Sequence, residues 1–142
     1  MGIPTPYEKR NWFRRWSKHL PKAGKIVLFD RSWYTRALIE PTLGYCTKPQ
    51  YEDFMTKVND WEKKLIKNGT EIVKFYFSID KEQQKRRISA RKNSKLKYWK
   101  LSESDQLMVN QWDVFTLYKN QMFDITSTDV APWIIINANN KM

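Results

Sequence analysis

Three short apolar runs alternate with helical patterns along the chain, and this alternation restricts the fold more than any other feature. The runs cover 26–29, 72–77 and 133–137 and are rich in β-branched and aromatic residues. Apolar runs of this length are typical of strands buried on both faces, as in a parallel sheet covered by helices. The sequence therefore predicts an α/β fold with a parallel sheet sandwiched by helices.

Four helical patterns accompany these runs. The strongest extends from Gln50 to Lys67, with apolar residues every three or four positions, Thr47 as N-cap and Asn68-Gly69 as stop signal. The other three are predicted over 7–20, 81–92 and 102–123. The stretch around Glu40 has no clear period and is predicted to be loop-rich.

A large excess of positive charge indicates a polyanionic partner. The 142 residues include 26 Lys and Arg against 15 Asp and Glu, which gives a net charge of +11. Because 41% of the residues are hydrophobic and 15% aromatic, an intrinsically disordered polycation is excluded. This charge is compatible with binding to nucleic acid, a nucleotide, a phosphate polymer or an acidic lipid.

Cysteine and histidine are too few for several kinds of site. The chain has one cysteine, Cys46, and one histidine, His19, so it has neither an internal disulfide nor a Cys/His zinc site, and no partners for a nucleophile and base pair. No apolar run approaches the roughly 18–20 residues that cross a bilayer, and the N-terminus has no signal-peptide pattern. We therefore expect no membrane association and a cytoplasmic location.

Asp30 and Arg31 follow the first predicted strand directly. Ligands of parallel sheets bind at the carboxyl ends of the strands. A carboxylate there can hold Mg²⁺, and a guanidinium beside it can bind phosphate oxygens in a bidentate manner. The alternative is an aspartate that only caps a turn and pairs with its neighbour.

A basic stretch over 81–101 is the second candidate site. Arg87 and Arg91 lie four residues apart and therefore on one face of the predicted helix, and Lys97 and Lys100 follow among aromatic residues. This mixture predicts a mobile, phosphate-binding flap. A solvated basic face is the alternative.

Two further acidic residues, Glu40 and Asp105, are candidates for the same site. Glu40 lies ten residues after Asp30. Asp105 lies in the first turn of a predicted helix, where the helix dipole favours a carboxylate for structural reasons alone.

The segment 20–37, which reads LPKAGKIVLFDRSWYTRA, closely resembles the Walker B region of the polyphosphate kinase 2 family. Further segments resemble the family in the same order. They are 44–47, 84–91, 99–102 with Asp105, Trp112-Asp113 and 131–133. The resemblance covers essentially all of residues 1–142 as one domain, the C-terminal portion of the family's kinase domain.

The resemblance implies a P-loop kinase-like fold with a helical lid over about 81–101. It implies phosphoryl transfer, with Mg²⁺, between inorganic polyphosphate and a nucleoside diphosphate or monophosphate such as ADP, GDP or AMP. Asp30, Arg31 and Arg91 would be catalytic residues. Asp30, Glu40 and Asp105 would bind metal, and Arg87, Lys97 and Lys100 would bind the polyphosphate.

One family element does not occur in the sequence. No G-x-x-x-x-G-K loop is found among the 142 residues. The resemblance therefore implies an incomplete domain that is inactive alone and needs an N-terminal fragment. It further implies that complete relatives form homo-oligomers.

Two other classes of protein remain as alternatives, and an inert pseudogene product is a third possibility. Another P-loop nucleoside or nucleotide kinase can carry Asp-Arg-Ser at the end of a strand, but it would use ATP rather than polyphosphate as the phosphoryl donor. A non-enzymatic module could instead bind RNA or single-stranded DNA through the basic, aromatic stretch.

Overall fold

The computed structural model describes residues 4–96, 99 and 103–140, the side chains of 103–106 excepted. Its elements are α1 (Pro6–Arg10), α2 (Trp12–Ser17), a 3₁₀ turn (Trp33–Arg36), α3 (Ile39–Leu43), α4 (Lys48–Lys67), β1 (Lys74–Ser78), α5 (Lys81–Lys92), α6 (Glu103–Asn110), α7 (Trp112–Thr126) and β2 (Trp133–Asn137). Among these helices, none is both long and apolar enough to cross a membrane.

The two later strands form a parallel sheet, as the sequence predicts. β1 pairs with β2 from Lys74 opposite Trp133 to Ser78 opposite Asn137. The long connection that a parallel pair needs is supplied by α5, α6 and α7. The prediction of an α/β fold with a parallel sheet is therefore confirmed.

Helix α4 begins and ends where its sequence signals indicate. The Thr47 hydroxyl accepts from the Gln50 amide, while the Gln50 side chain accepts from the Thr47 amide, which forms a capping box. At the other end Gly69 has a φ of +86°, a left-handed conformation that only glycine adopts at little cost. Local hydrogen bonding thus fixes the length of the helix.

Three predicted boundaries differ from the structure. The helix predicted over 7–20 is broken at Asn11, whose φ and ψ of −116° and 59° are not helical. The break lets the Trp12 indole reach the main-chain oxygen of Trp33, a buried bond of 2.9 Å. The helix predicted over 102–123 is likewise divided, at Gln111. The stretch predicted to be loop-rich contains the 3₁₀ turn and α3.

The prediction of a buried strand over 26–29 is wrong. Within the described part of the chain this segment pairs with no strand, because β1 and β2 bond only to each other. Its apolar side chains are therefore not covered: Ile26 is 90% and Leu28 92% exposed. Phe29 alone packs inward, with its ring 5.7 Å from that of Trp16.

The core is an aromatic cluster between the helices and one face of the sheet. Its buried members are Trp12, Trp16, Trp33, Tyr34, Ala37, Leu38, Phe54, Met55, Val58 and Met122. Tyr76 joins it through an edge-to-face contact with Phe123 of α7. The opposite face of β1 carries Phe75 and Phe77, which are exposed. The described helices thus cover only one face of a sheet for which the sequence predicts helices on both.

We predict that Leu28→Ala changes the free energy of unfolding of this chain by less than about 0.5 kcal/mol, because the side chain is already in water. Met122→Ala is the control: this residue is 1% exposed, and its truncation should cost about 2–5 kcal/mol. Urea denaturation followed by tryptophan fluorescence measures both. If Leu28→Ala lowers the free energy of unfolding as much as Met122→Ala does, Leu28 is buried and the prediction of a buried strand over 26–29 is correct after all.

Candidate functional site

Asp30 and Arg31 lie at the tip of an exposed turn between segment 26–29 and the 3₁₀ turn. Both side chains are exposed. Arg31 has a φ of +65° and is the one non-glycine residue in the described ranges with a left-handed backbone. Ser32 follows, and its hydroxyl accepts from the Tyr34 amide to cap the 3₁₀ turn. A carboxylate and a guanidinium are therefore presented side by side to solvent.

Both ends of this turn are held by aromatic packing. Phe29 lies 5.8 Å from Trp33, ring centre to ring centre, and both contact Trp16 edge to face. The main-chain oxygen of Trp33 accepts from the Trp12 indole at 2.9 Å. The turn is thus closed by contacts between its own flanking residues.

A buried ion pair lies directly beneath the turn's second anchor. The Lys74 ammonium is 2.9 Å from the Glu62 carboxylate, and the two side chains are 4% and 2% exposed. The ammonium also donates to the Tyr34 hydroxyl at 3.1 Å and to the main-chain oxygen of Thr126 at 2.7 Å. All three ammonium protons therefore have acceptors, as burial of a charge requires.

Glu62 connects this ion pair to the turn. Its second carboxylate oxygen accepts from the Trp33 indole at 2.9 Å. Burial lowers the pKa of Lys74, and Glu62 opposes that shift by favouring the ammonium. Burial also raises the pKa of Tyr34, and the negative charge of Glu62 raises it further. The Tyr34 hydroxyl therefore stays protonated.

Glu40, a predicted metal ligand, lies in a different environment from Asp30. Its carboxylate is buried in α3, 2.8 Å from the guanidinium of Arg36, which is 1% exposed and lies over the Trp12 ring. Burial raises the pKa of Glu40, and Arg36 opposes that shift. The described residues contain no group of three or more acidic, histidine or cysteine side chains suited to a metal ion. Metal binding by Glu40 stays a prediction and requires release from Arg36.

Arg87 fastens α5 to the carboxyl end of the sheet. Its guanidinium donates to the main-chain oxygens of Ala138 and Asn139, just after β2. The Gln83 side chain donates to the same Asn139 oxygen at 2.6 Å. A cavity of about 410 Å³ adjoins this contact, lined by Asp80, Lys81, Glu82, Gln83, Arg86, Asn139 and Asn140. Phosphate binding by Arg87 stays a prediction.

The other predicted site residues are spread over the lid region. Arg91 lies in the last turn of α5 and is half-buried. Asp105 lies in α6, but its side chain is outside the described part. Lys97 and Lys100 lie outside the described residues altogether. Their predicted roles therefore stay predictions.

Sequence reasoning missed Glu62 and Lys74. A signal for each is present, since Lys74 interrupts the apolar run 72–77 and Glu62 lies between the apolar positions Trp61 and Leu65. Charged residues inside apolar patterns are rarely buried unless they are paired. The two signals together point to a pair.

We predict that Lys74→Met or Glu62→Leu alone costs about 3–5 kcal/mol of stability, because each leaves an uncompensated buried charge. The double variant should lose less than either single one, since neither charge remains. Urea denaturation of the four chains measures this coupling. Additive losses would contradict a direct interaction.

We further predict that Cys46 reacts slowly with iodoacetamide at pH 8. Burial raises the pKa of this thiol from 9.0 to about 11, and the thiolate is the reactive form. The second-order rate constant should rise steeply between pH 9 and 11. A titration midpoint near pH 9, with a plateau above about pH 10, would show an ordinary, solvated thiol. Free cysteine serves as the control.

Comparison of the sequence with known proteins identifies a family. The sequence profile of the family described as "Polyphosphate kinase 2 (PPK2)" matches residues 1–142. The chain is 40% identical over 139 residues to a GDP-polyphosphate phosphotransferase of Mycolicibacterium smegmatis, covering 97% of this chain and 49% of that protein. It is 42% identical over 142 residues to an NDP-polyphosphate phosphotransferase 2 of Ruegeria pomeroyi, covering 99% of this chain and 41% of that protein.

A solved structure is similar over nearly the same length. The crystal structure of polyphosphate kinase 2 from Arthrobacter aurescens TC1 matches with a TM-score of 0.89 and 35% identity, covering 99% of this chain and 50% of that one. The chain thus spans half or less of the length of these three proteins. Because the profile match covers every residue, the chain belongs to the polyphosphate kinase 2 family.

Proposed function

We propose that the chain takes part in phosphoryl transfer between inorganic polyphosphate and a nucleoside diphosphate or monophosphate. The observation that carries the proposal is the family match over residues 1–142. The exposed Asp30–Arg31 turn and the net charge of +11 agree with it, since both reactants are polyanions. Electrostatic binding of this kind weakens as ionic strength rises.

The proposed chemistry consists of positioning and charge neutralisation. Phosphoryl transfer develops negative charge on the transferring group, and fixed cations stabilise it without reorganisation. Arg31 is assigned to the phosphate next to Asp30, and Arg91 to the transferring phosphoryl group. Arg87, Lys97 and Lys100 are assigned to the rest of the polymer.

Asp30 is the residue best suited to a magnesium ion. Mg²⁺ usually binds through one or two carboxylates together with substrate phosphates, so one exposed carboxylate in a phosphate site fits that pattern. The ion would neutralise phosphate charge there. Asp105 is a second candidate ligand. Glu40 is the least available, because its carboxylate lies against Arg36.

We propose that residues 1–142 are inactive alone and that their site is completed by further polypeptide carrying a glycine-rich loop, in the same protein or in a separate one. The 142 residues contain no glycine-rich phosphate loop, and the chain spans half or less of the relatives compared. The unpaired segment around Leu28 and the exposed Phe75 and Phe77 are the apolar surface that such a polypeptide would cover. Oligomer formation by complete relatives is not needed for this proposal.

The test is phosphorylation of ADP, GDP or AMP by long-chain polyphosphate in the presence of Mg²⁺. The chain is assayed alone and with a separately expressed fragment of a complete relative that carries the glycine-rich loop. We expect turnover only in the mixture. Turnover by the chain alone contradicts the inactive state, and absence of turnover in the mixture with ADP, GDP and AMP contradicts the proposed function.

Asp30→Asn and Arg91→Ala test the assigned residues in the same mixture. Each should lower the turnover rate about 100-fold or more, as loss of one charge-stabilising group does elsewhere. Asp60→Asn and Lys64→Ala are matched controls, because they make similar charge changes at exposed positions of α4. The controls should stay within about twofold of the unaltered chain. Equal rates in Asp30→Asn and Asp60→Asn would remove Asp30 from the mechanism.

A further inference from the structure

The Asp30–Arg31 turn is short, and both of its ends are fixed. Phe29 is held by Trp16 and Trp33, and Trp33 is held by the Trp12 indole on its main-chain oxygen. Three residues, 30–32, must connect these anchors. The connection passes through Arg31 at a φ of +65°, where its Cβ lies too close to neighbouring main-chain atoms. The turn is therefore strained at a residue whose side chain is exposed.

A strained residue persists only where its surroundings over-determine it. Here the strongest restraint is beneath Trp33, whose indole donates to Glu62 at 2.9 Å. Glu62 is in turn fixed by Lys74 at 2.9 Å, and Lys74 by Tyr34 and the main-chain oxygen of Thr126. We call Trp33, Glu62 and Lys74 the Glu62 clamp. It ties the 3₁₀ turn, α4 and β1 to one another through buried charge.

Nothing in the stability of the core requires a strained arginine. The same aromatic contacts would tolerate glycine at position 31, which adopts a left-handed backbone without a Cβ clash. An arginine there has its backbone, and so the direction in which its exposed side chain begins, fixed next to Asp30. Rigid placement reduces the ordering cost when a highly charged ligand binds. The left-handed backbone of Arg31 therefore benefits a turn that binds a ligand, and it does not benefit the fold.

We propose that the Glu62 clamp holds Arg31 in its left-handed conformation, so that Trp33 and Glu62 are positioning residues for the Asp30–Arg31 turn. What the turn binds rests on the proposed function. The strain itself does not, and it is measurable without any substrate.

The test is a double-variant cycle on the stability of the 142-residue chain, followed by urea denaturation. In the unaltered chain Arg31→Gly should raise the folding equilibrium constant about fivefold, since glycine removes the left-handed cost. Trp33→Phe removes the indole donor to Glu62 and frees the turn to relax. In that background Arg31→Gly should change the constant by less than about twofold.

Thr47→Ala is the matched control background. It removes the N-cap of α4, about 22 Å along the helix axis from Glu62, and should destabilise the chain without reaching the clamp. Arg31→Gly should keep its fivefold gain there. An equal gain in the Trp33→Phe and Thr47→Ala backgrounds would overturn the proposal, as would no gain in the unaltered chain. Should Trp33→Phe fail to fold, the double variant Glu62→Leu/Lys74→Met removes the acceptor of the Trp33 indole instead, with the same expectation.

Binding of long-chain polyphosphate at fixed ionic strength relates the clamp to function. Trp33→Phe should weaken binding about three- to fivefold, whereas Thr47→Ala should leave it within about twofold, although both lower stability. Equal weakening by both variants would make Trp33 merely structural and overturn the positioning role. Absence of binding by the unaltered chain would count against the proposed function, while the stability cycle would still decide whether the clamp strains Arg31.

Discussion

The salt bridge between Lys74 and Glu62 is the interaction on which the arrangement of the described elements depends. It joins Lys74, the first residue of β1, to Glu62 in the second-last turn of α4. Its hydrogen bonds extend to the 3₁₀ turn and the end of α7. Moving one member of a buried ion pair away from the other is strongly destabilising, because it leaves an uncompensated charge in the core. Aromatic packing alone would permit sliding. The ion pair therefore fixes the positions of α4, β1, the 3₁₀ turn and the end of α7 relative to one another.

Much of the secondary structure could be predicted from the sequence, because its signals are local. Thr47, Pro49 and Gly69 mark the ends of α4 through hydrogen bonds and backbone conformations within a few residues. The run 133–137 becomes β2 because β-branched residues find a parallel partner in β1. The ends of α4 therefore depend little on the rest of the chain, whereas β2 needs β1 as its partner.

The prediction of a strand over 26–29 fails because its outcome depends on a distant partner. The run 26–29 has the composition of a strand, but composition does not supply the neighbouring backbone that a strand needs. Glu40, whose metal binding stays a prediction, pairs with Arg36, a contact that the sequence did not indicate. Arg87, whose phosphate binding also stays a prediction, donates to two main-chain oxygens after β2. In both cases the residue type alone does not identify the neighbour that the fold supplies.

The unpaired segment around Leu28 also has a consequence for proteolysis, because its backbone and its apolar side chains are uncovered. It joins an exposed apolar surface to Lys22 and Lys25, which are exposed in the turn just before it. Cellular proteases and chaperones act on uncovered, unpaired backbone of this kind. Whatever covers Ile26 and Leu28, in the same protein or in a separate one, would therefore shield this segment from degradation. Turnover in the cell would then limit how much uncovered chain accumulates.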